Sequence, residues 1–333
     1  MKISVAMTTY NGAKYIIPQL DSLLAQTRVI DQLVICDDCS QDKTVDIIRE
    51  YFQQTDFTGL KLVVNDKNLG YIKNFYQAIS LCEGDLIFLC DQDDIWCPEK
   101  IEIMTKLFEE HPEMYSINTS FDRIDANGSY LSTSKKYQQT NNNLLWKKLR
   151  TGEILKIDFK DMILRNISPG CTMAFKQSCK HFFLNNFSSL SPHDWEINLF
   201  ASLHNGAYFY NKILTHYRIH DNNTIGLKEI NVNNFLSMKK DQSFREKEAG
   251  LQNEKLTFYK KSAWFVELSK KNQRLVKKCS RVVAKRADAL KEKSIWMWIR
   301  TCFHFIDYAE TIGFRAIFGD LIYIIKEKHN RNI

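Results

Sequence analysis

No stretch of this 333-residue chain approaches the ~18 consecutive apolar residues of a membrane-spanning helix. Its start also lacks a leader pattern: Met1-Lys2 runs straight into Ile3-Ser4-Val5-Ala6-Met7, too short for an apolar targeting core and followed by polar residues. A cytoplasmic protein is therefore expected. Cysteine pairs at zinc-site spacing are missing as well. The nine cysteines are odd in number and scattered, and Cys36, Cys82 and Cys90 sit inside apolar segments, as reduced, packed thiols do. Cys36 and Cys39 form a lone C-x-x-C around Asp37-Asp38, which without a second pair argues against a zinc or redox role. Two glycine signatures are absent too. With neither G-x-G-x-x-G after the first apolar run nor G-x-x-x-x-G-K-[ST], the usual phosphate cradles of dinucleotide and P-loop enzymes are excluded. Internal repeats and low-complexity tracts are lacking, although Tyr137 to Asn143 reads as a polar loop.

What is present is an ordinary globular composition, 44% hydrophobic and 26% charged, enough for one large domain and an appendage. Charge divides the chain. Residues 228–333 carry 23 Lys+Arg against 12 Asp+Glu, leaving 23 against 27 for residues 1–227, an acidic front and a basic tail.

The front alternates short apolar runs with amphipathic segments. Lys2 to Met7, Gln32 to Cys36, Leu60 to Val64 and Leu86 to Cys90 read as strands. Between them, Ile16, Leu20, Leu23 and Leu24 share one helix face, as do Val45, Ile48 and Phe52, and a third helix runs through Phe75 and Ile79. This alternation predicts a mainly parallel sheet covered on both faces. Lys100 to Phe108 reads as a further helix and Tyr115 to Phe121 as a further strand.

Parallel sheets bind ligands beyond the carboxyl ends of their strands. Three ends here are unusually polar: Thr8-Thr9-Tyr10-Asn11, Asp37-Asp38 and Asp91-Gln92-Asp93-Asp94. All three face one edge, where they make a nucleotide-sized site. Three crowded carboxylates at Asp91, Asp93 and Asp94 repel one another, so a proton or a cation must relieve them. Mg²⁺ or Mn²⁺, which takes one or two carboxylates and keeps positions for phosphate oxygens, fits that need and would carry a diphosphate where no glycine loop does.

The order of motifs resembles the family 2 inverting glycosyltransferases of the GT-A nucleotide-diphospho-sugar transferase fold. Within that family it is similar to bacterial enzymes that build rhamnose-containing cell-wall or capsular polysaccharides. The residues concerned are Thr8-Thr9-Tyr10-Asn11-Gly12, Cys36-Asp37-Asp38-Cys39-Ser40, Asn68-Leu69-Gly70, Asp91-Gln92-Asp93-Asp94-Ile95-Trp96, Gly170-Cys171-Thr172, His193-Asp194-Trp195 and Tyr217-Arg218-Ile219-His220. They span about the first two-thirds of the chain. The resemblance implies a catalytic domain over 1–227, with a nucleotide-sugar half to about 120 and an acceptor half beyond it, followed by a helical extension over 228–333.

The resemblance also implies roles. Thr8, Tyr10 and Asn11 would surround the base, Asp38 would accept from a pyrimidine N3–H with Asp37 in support, and Asp91 would meet the ribose. Asp93 would bind the metal, with Asp94, Arg218 and His220 serving metal and phosphates. Asp194 stands at the position of the general base, preceded by His193 where Glu is commoner. Gly170, Cys171, Thr172, His193 and Trp195 fall on the acceptor side. Some positions have plainer readings: Asp194 also fits a helix N-cap, and Trp195 also fits simple packing. The expected reaction is inverting transfer of a sugar, with dTDP-L-rhamnose as expected donor, to a hydroxyl of a surface glycan or its lipid-linked precursor. A sugar-phosphate nucleotidyltransferase is the enzymatic alternative, but Thr8 to Gly12 holds no Lys or Arg to grip phosphate. A non-catalytic glycan-binding protein is the other, which intact Asp91, Asp93 and Asp194 argue against.

In the tail, Trp296, Trp298, Phe303, Phe305, Ile306, Phe314, Ile317, Phe318, Leu321, Ile324 and Ile325 recur at roughly helical intervals among Lys and Arg. Such helices suit the inner face of an anionic membrane, or packing on the catalytic domain or a second subunit.

Overall fold

The computed structural model describes residues 1–132, 148–221, 243–303 and 305–331. The polar segment at 137–143 and the junction at 227/228 lie outside them. Chain contacts divide the molecule into two units, Met1–Lys228 and Glu229–Ile333.

The first unit is built on one nine-stranded sheet. Its parallel half contains β1 (Ile3–Thr9), β2 (Gln32–Asp37), β3 (Leu60–Val64) and β4 (Leu86–Asp91), in the order β3-β2-β1-β4. Right-handed crossovers need intervening helices, and the sequence supplies α1 (Ile16–Leu24), α2 (Thr44–Gln53) and α3 (Tyr71–Leu81). Alternate strand residues go to opposite faces. On one face Ile3, Val5 and Met7 of β1 join Ile16, Leu20 and Leu23 of α1, together with Ile101, Met104 and Phe108 of α4 (Lys100–Glu110). Helix α3 packs on β1 and β2, burying Phe75, Ala78 and Ile79.

Beyond β4, past the regular alternation from which a mainly parallel sheet is expected, the sheet is mixed. β8 (Met173–Lys176) lies antiparallel to both β4 and β6 (Ser116–Ile124). β9 (Ala207–Arg218) runs parallel to β6, while β5 (Ile95–Trp96) and β7 (Ile154–Lys156) pair antiparallel with β9. Strands of two to four residues carry too little alternation to betray their direction in sequence. α5 (Phe159–Met162), α6 (Gln177–Asn185) and α7 (His193–Leu203) complete the unit.

The second unit is helical: α8 (Ser243–Lys261), α9 (Trp264–Glu267), α10 (Lys270–Lys291), α11 (Ile295–Cys302), α12 (Phe305–Ile312) and α13 (Phe314–Arg331). Ser269 and Ser294 cap α10 and α11, accepting from the backbone N–H of Asn272 and Met297. At its centre the buried carboxylate of Asp320 accepts from Arg286, Arg245 and Tyr308. Buried charge of this kind persists only when paired and hydrogen-bonded. Among the described residues no helix is long and apolar enough to cross a membrane.

Candidate active site

Sheet register gathers the polar strand ends. Thr8 pairs with Asp91 across β1 and β4, and Thr9 with Asp37 across β1 and β2, so these residues share one edge. The Thr9 hydroxyl donates to Asp37 Oδ2 at 2.7 Å, and Ser40 donates to the same carboxylate through both N–H (2.8 Å) and Oγ (2.6 Å). Asp37 is thus a fully buried strut. Asp38, also buried, accepts from Leu69 N (2.7 Å), Gly70 N (2.8 Å) and Asn65 Nδ2 (3.1 Å), tying the loop before α3 to the end of β2. Gly70 begins that helix from φ 81°, a conformation glycine adopts without steric cost.

The turn after β1 is held from two sides. Asn11 takes φ 49°, its N–H donates to Ser40 Oγ and its Oδ1 accepts from Gln41 N. Across the site Gln92 brackets Tyr10, accepting from its N–H at 2.8 Å and donating to its carbonyl at 3.0 Å. A Cβ at Gly12 would fall 2.1 Å from Gln92 Oε1, so only glycine lets this clamp close. The Tyr10 ring itself is exposed at the edge.

The acidic run splits by environment. Nε2 of His220 lies 2.7 Å from Oδ2 of Asp93. Arg218 braces both acids, its backbone N–H donating to Asp94 Oδ1 (3.0 Å) and its Nε to the Asp93 carbonyl (2.7 Å). Tyr15 stacks obliquely on His220, ring centroids 4.5 Å apart, with the Arg218 guanidinium 5.1 Å from the same ring. Asp94 is wholly buried; burial, then the charge of Asp93, pushes its carboxyl up to about 7. Its Oδ2 has no hydrogen-bond partner. Asp91 is pushed well above the carboxylate range by burial and by Asp94.

Donor atoms of Asp91, Asp94 and Cys171 lie within 4.8 Å of one another. Burial drives the Cys171 thiol far up, so it stays protonated beside the acids. The remaining donors of that cluster are carboxylate oxygens of Asp91 and Asp94, of which Asp94 Oδ2 still wants a partner, and Asp93 with His220 forms a separate pair. That set fits Mg²⁺ or Mn²⁺ better than a thiophilic metal.

Behind the acids stands a residue that motif reading missed. Lys100, wholly buried, donates to the Cys171 carbonyl (2.6 Å) and Thr215 Oγ1 (2.9 Å), with its ammonium 3.7 Å from the Trp96 ring centroid. Burial depresses its pKa to about 8. A lysine in the first turn of an amphipathic helix reads as solvated; only the β5–β9 pairing encloses it.

Asp194 lies in the first turn of α7, 4% exposed. Asn166 Nδ2 donates to its Oδ2 and the Trp195 N–H to its Oδ1, both at 2.8 Å. Burial outweighs these bonds and raises its pKa to about 6. His193 stacks on Phe75 with centroids 3.8 Å apart, and desolvation lowers it to about 3, so the ring is neutral. Gly170 lies against both: a Cβ there would come within 3.1 Å of His193 Nε2 and 3.5 Å of Asp194 Cβ. The Trp195 indole N–H donates to the Met162 carbonyl at 2.6 Å. Thr172 hydrogen-bonds Ser168, Asn118 and the Pro169 carbonyl. Asn118 in turn accepts from Asn198, which seats α7 on β6. Asn166 and Asn198 carry no sequence signal beyond isolated amides, and Gln92 stands inside the acidic motif without a role assigned from it.

A model of the family described as glycosyl transferase family 2 matches residues 4–183. A dTDP-rhamnosyl transferase of Shigella flexneri is 30% identical over 234 residues, 66% of this chain and 73% of that protein. The poly(ribitol-phosphate) beta-N-acetylglucosaminyltransferase TarS of Staphylococcus aureus is 32% identical over 113 residues, 33% of this chain but 19% of that much longer protein. A crystal structure of TarS residues 1–349 in complex with UDP-GlcNAc superposes with a TM-score of 0.55 at 16% identity, covering 99% of this chain and 92% of that one.

Proposed function

Because the chain belongs to glycosyl transferase family 2 and has the GT-A fold, we propose that it transfers a sugar, with inversion, from a pyrimidine nucleotide-diphospho-sugar to a hydroxyl of a bacterial surface glycan or its lipid-linked precursor. The donor we propose is dTDP-L-rhamnose, supported by the name of the Shigella flexneri relative. The observation that carries the reading is the pairing of a buried, proton-avid carboxylate at Asp194 with a separate acidic and basic cluster around Asp93, Arg218 and His220. One group can take a proton while the other receives charge.

On this reading Thr8, Tyr10 and Asn11 border the base. Asp38 already accepts three hydrogen bonds, but a carboxylate offers about four acceptor sites, which leaves one for the pyrimidine N3–H. Asp91 takes the ribose hydroxyls. Asp93 and His220 would hold the divalent cation, with Asp94 and Arg218 beside them. The cation, when bound, neutralises charge on the leaving diphosphate. Arg218 fixes the two acids and presents a cation near the phosphates. Asp194, held by Asn166 and Trp195, accepts the proton of the acceptor hydroxyl as its oxygen attacks the anomeric carbon. Neutral His193, with Gly170, Cys171, Thr172 and Trp195, frames that hydroxyl. A single base and in-line attack imply inversion, so a β-linked donor yields an α-linked product.

The second unit exposes Trp296, Phe303, Ile306, Phe318, Ile322 and Ile325. An anionic membrane carrying a lipid-linked acceptor would cover such side chains.

A panel of nucleotide-sugars, each assayed for hydrolysis and for thermal stabilisation with and without Mn²⁺, tests the proposal. Metal-dependent turnover of dTDP-L-rhamnose above UDP-sugars is expected. Absence of any response would overturn the enzymatic reading, and preference for a UDP-sugar would overturn the donor.

A further inference from the structure

We propose that Cys97 is an activated thiol, a nucleophilic modification site for disulfides and other soft electrophiles, served by His216 and Asp122. The three residues come from separate parts of the chain. Cys97 follows β5, His216 lies on β9 and Asp122 on β6. Strand pairing brings them together: Asp122 is the direct partner of His216 across β6 and β9, and Ile95 is its partner across β5 and β9. Cys97 is held in turn by its N–H, which donates to the Leu214 carbonyl.

Distances order the three groups. Nδ1 of His216 lies 2.6 Å from Asp122 Oδ1, and Nε2 lies 3.5 Å from Cys97 Sγ. A carboxylate on one ring nitrogen fixes the imidazole and leaves the other nitrogen to serve the sulfur, the arrangement that activates nucleophiles generally. Hydrogen bonding to the Asp122 carboxylate, then to Cys97, raises His216 to about 10, so the ring favours the cation that would stabilise a thiolate. Cys97 is half-buried and so reachable. The contrast with the other thiols is sharp. Cys36, Cys82, Cys90, Cys171, Cys179 and Cys279 are buried and Cys302 is half-buried, and burial pushes every one of them up. Cys39 is half-buried like Cys97, and each sulfur lies 3.8 Å from a backbone carbonyl, of Asp66 and of Ile213, but the second neighbour is the Gln41 amide at Cys39 and an imidazole at Cys97.

The step balances without an added oxidant or reductant. The Cys97 thiol gives its proton to water, and the His216 cation, held through Nδ1–H by Asp122, stabilises the resulting thiolate through Nε2–H. Cys97 sulfur attacks one sulfur of R–S–S–R, a new S–S bond forms as the old one breaks, and R–S⁻ leaves, to be reprotonated by the proton released to water.

The full chain is treated with dithiobis(nitrobenzoate), an aromatic disulfide, and adduct formation at each cysteine is followed by peptide mass mapping. Cys97 is expected to react at least ~10-fold faster than Cys39, with His216→Gln and Asp122→Asn each bringing it to within about threefold of Cys39. Comparable rates at Cys97 and Cys39 in the unmodified chain would overturn the proposal. So would an undiminished Cys97 rate in His216→Gln or Asp122→Asn with an unchanged melting temperature. Should His216→Gln fail to fold, Asp122→Asn and the wild-type ratio decide.

Discussion

Asp93 and His220 stand 127 residues apart in sequence, yet a carboxylate oxygen of one and a ring nitrogen of the other are separated by 2.7 Å. Neither reaches the other by chance of a loop. β5 pairs with β9, β9 ends at Arg218, and Arg218 grips both the Asp93 carbonyl and the Asp94 carboxylate. The pair is therefore set by sheet register, and its chemistry can be tested one partner at a time.

Asp93→Asn and His220→Gln should each weaken the apparent affinity for Mn²⁺ by about 100-fold, and Tyr15→Ala, which removes the ring stacked on His220, by about 10-fold. Titration of Mn²⁺ against turnover reads the effect. An unmoved midpoint in all three variants would take this pair out of the metal site.

Asp194→Asn should lower turnover by roughly 10²- to 10⁴-fold. The same change should leave the fold intact or firmer. Burial raises the Asp194 carboxyl from an ordinary 3.8 to about 6, so the folded state holds the proton more tightly than the unfolded chain. Stability from this group thus falls as pH rises between those values, and at pH 7 the ionised residue costs on the order of 1–3 kcal/mol. Urea unfolding at pH 7 should show Asp194→Asn to be at least as stable as the wild type. Turnover in the wild type should climb with pH through about 6 and then level, because the base acts only when ionised.

Lys100 gives the opposite pH signature. Its folded pKa of about 8 lies below an ordinary 10.5, so the unfolded chain binds more protons between those values and stability rises with pH across that window. The gain should be about 3 kcal/mol. Lys100→Met should abolish it, which urea midpoints at pH 8 and pH 10.5 would reveal. An equal slope in both proteins would contradict a buried ammonium.

Asp38→Ala strips the acceptor from Leu69 N and leaves Gly70 N with Asn68 Oδ1 alone and Asn65 Nδ2 with Asn74 Oδ1 alone. One unsatisfied donor and two lost bonds should cost roughly 1–3 kcal/mol in chemical denaturation, with nucleotide affinity falling alongside. Loss of affinity at full stability would mean that the residue serves the ligand alone.

The strand ends were legible because each feature rests on local pattern: an apolar run announces a strand, a polar tetrad announces its end, and parallel pairing puts the ends on one edge. The helix faces around Ile16, Ile48 and Phe75 were legible for the same reason. Direction in the second half of the sheet was not, since β5 has two residues and β8 four. Lys100 was invisible because its helix looks amphipathic and its burial depends on Trp96, Cys171 and Thr215, which are distant in sequence or ordinary in type. Asn166 was missed for a related reason, as a lone amide gains meaning only once Asp194 stands beside it. The Cys97–His216–Asp122 cluster depends wholly on pairing among three strands, and sequence shows only three unremarked residues.

Helix α3 begins at the Asp38 carboxylate, and its own Phe75 lies flat against His193, the neighbour of Asp194. On the proposed reading, a redesign of this protein for a different nucleobase would turn first to Asp38. That residue is also the peg on which α3 hangs, so a change made there would also move the Phe75 ring on which His193 stacks. Donor and acceptor preferences should therefore be exchanged between such proteins as a block, from the end of β2 through α3, instead of one side chain at a time.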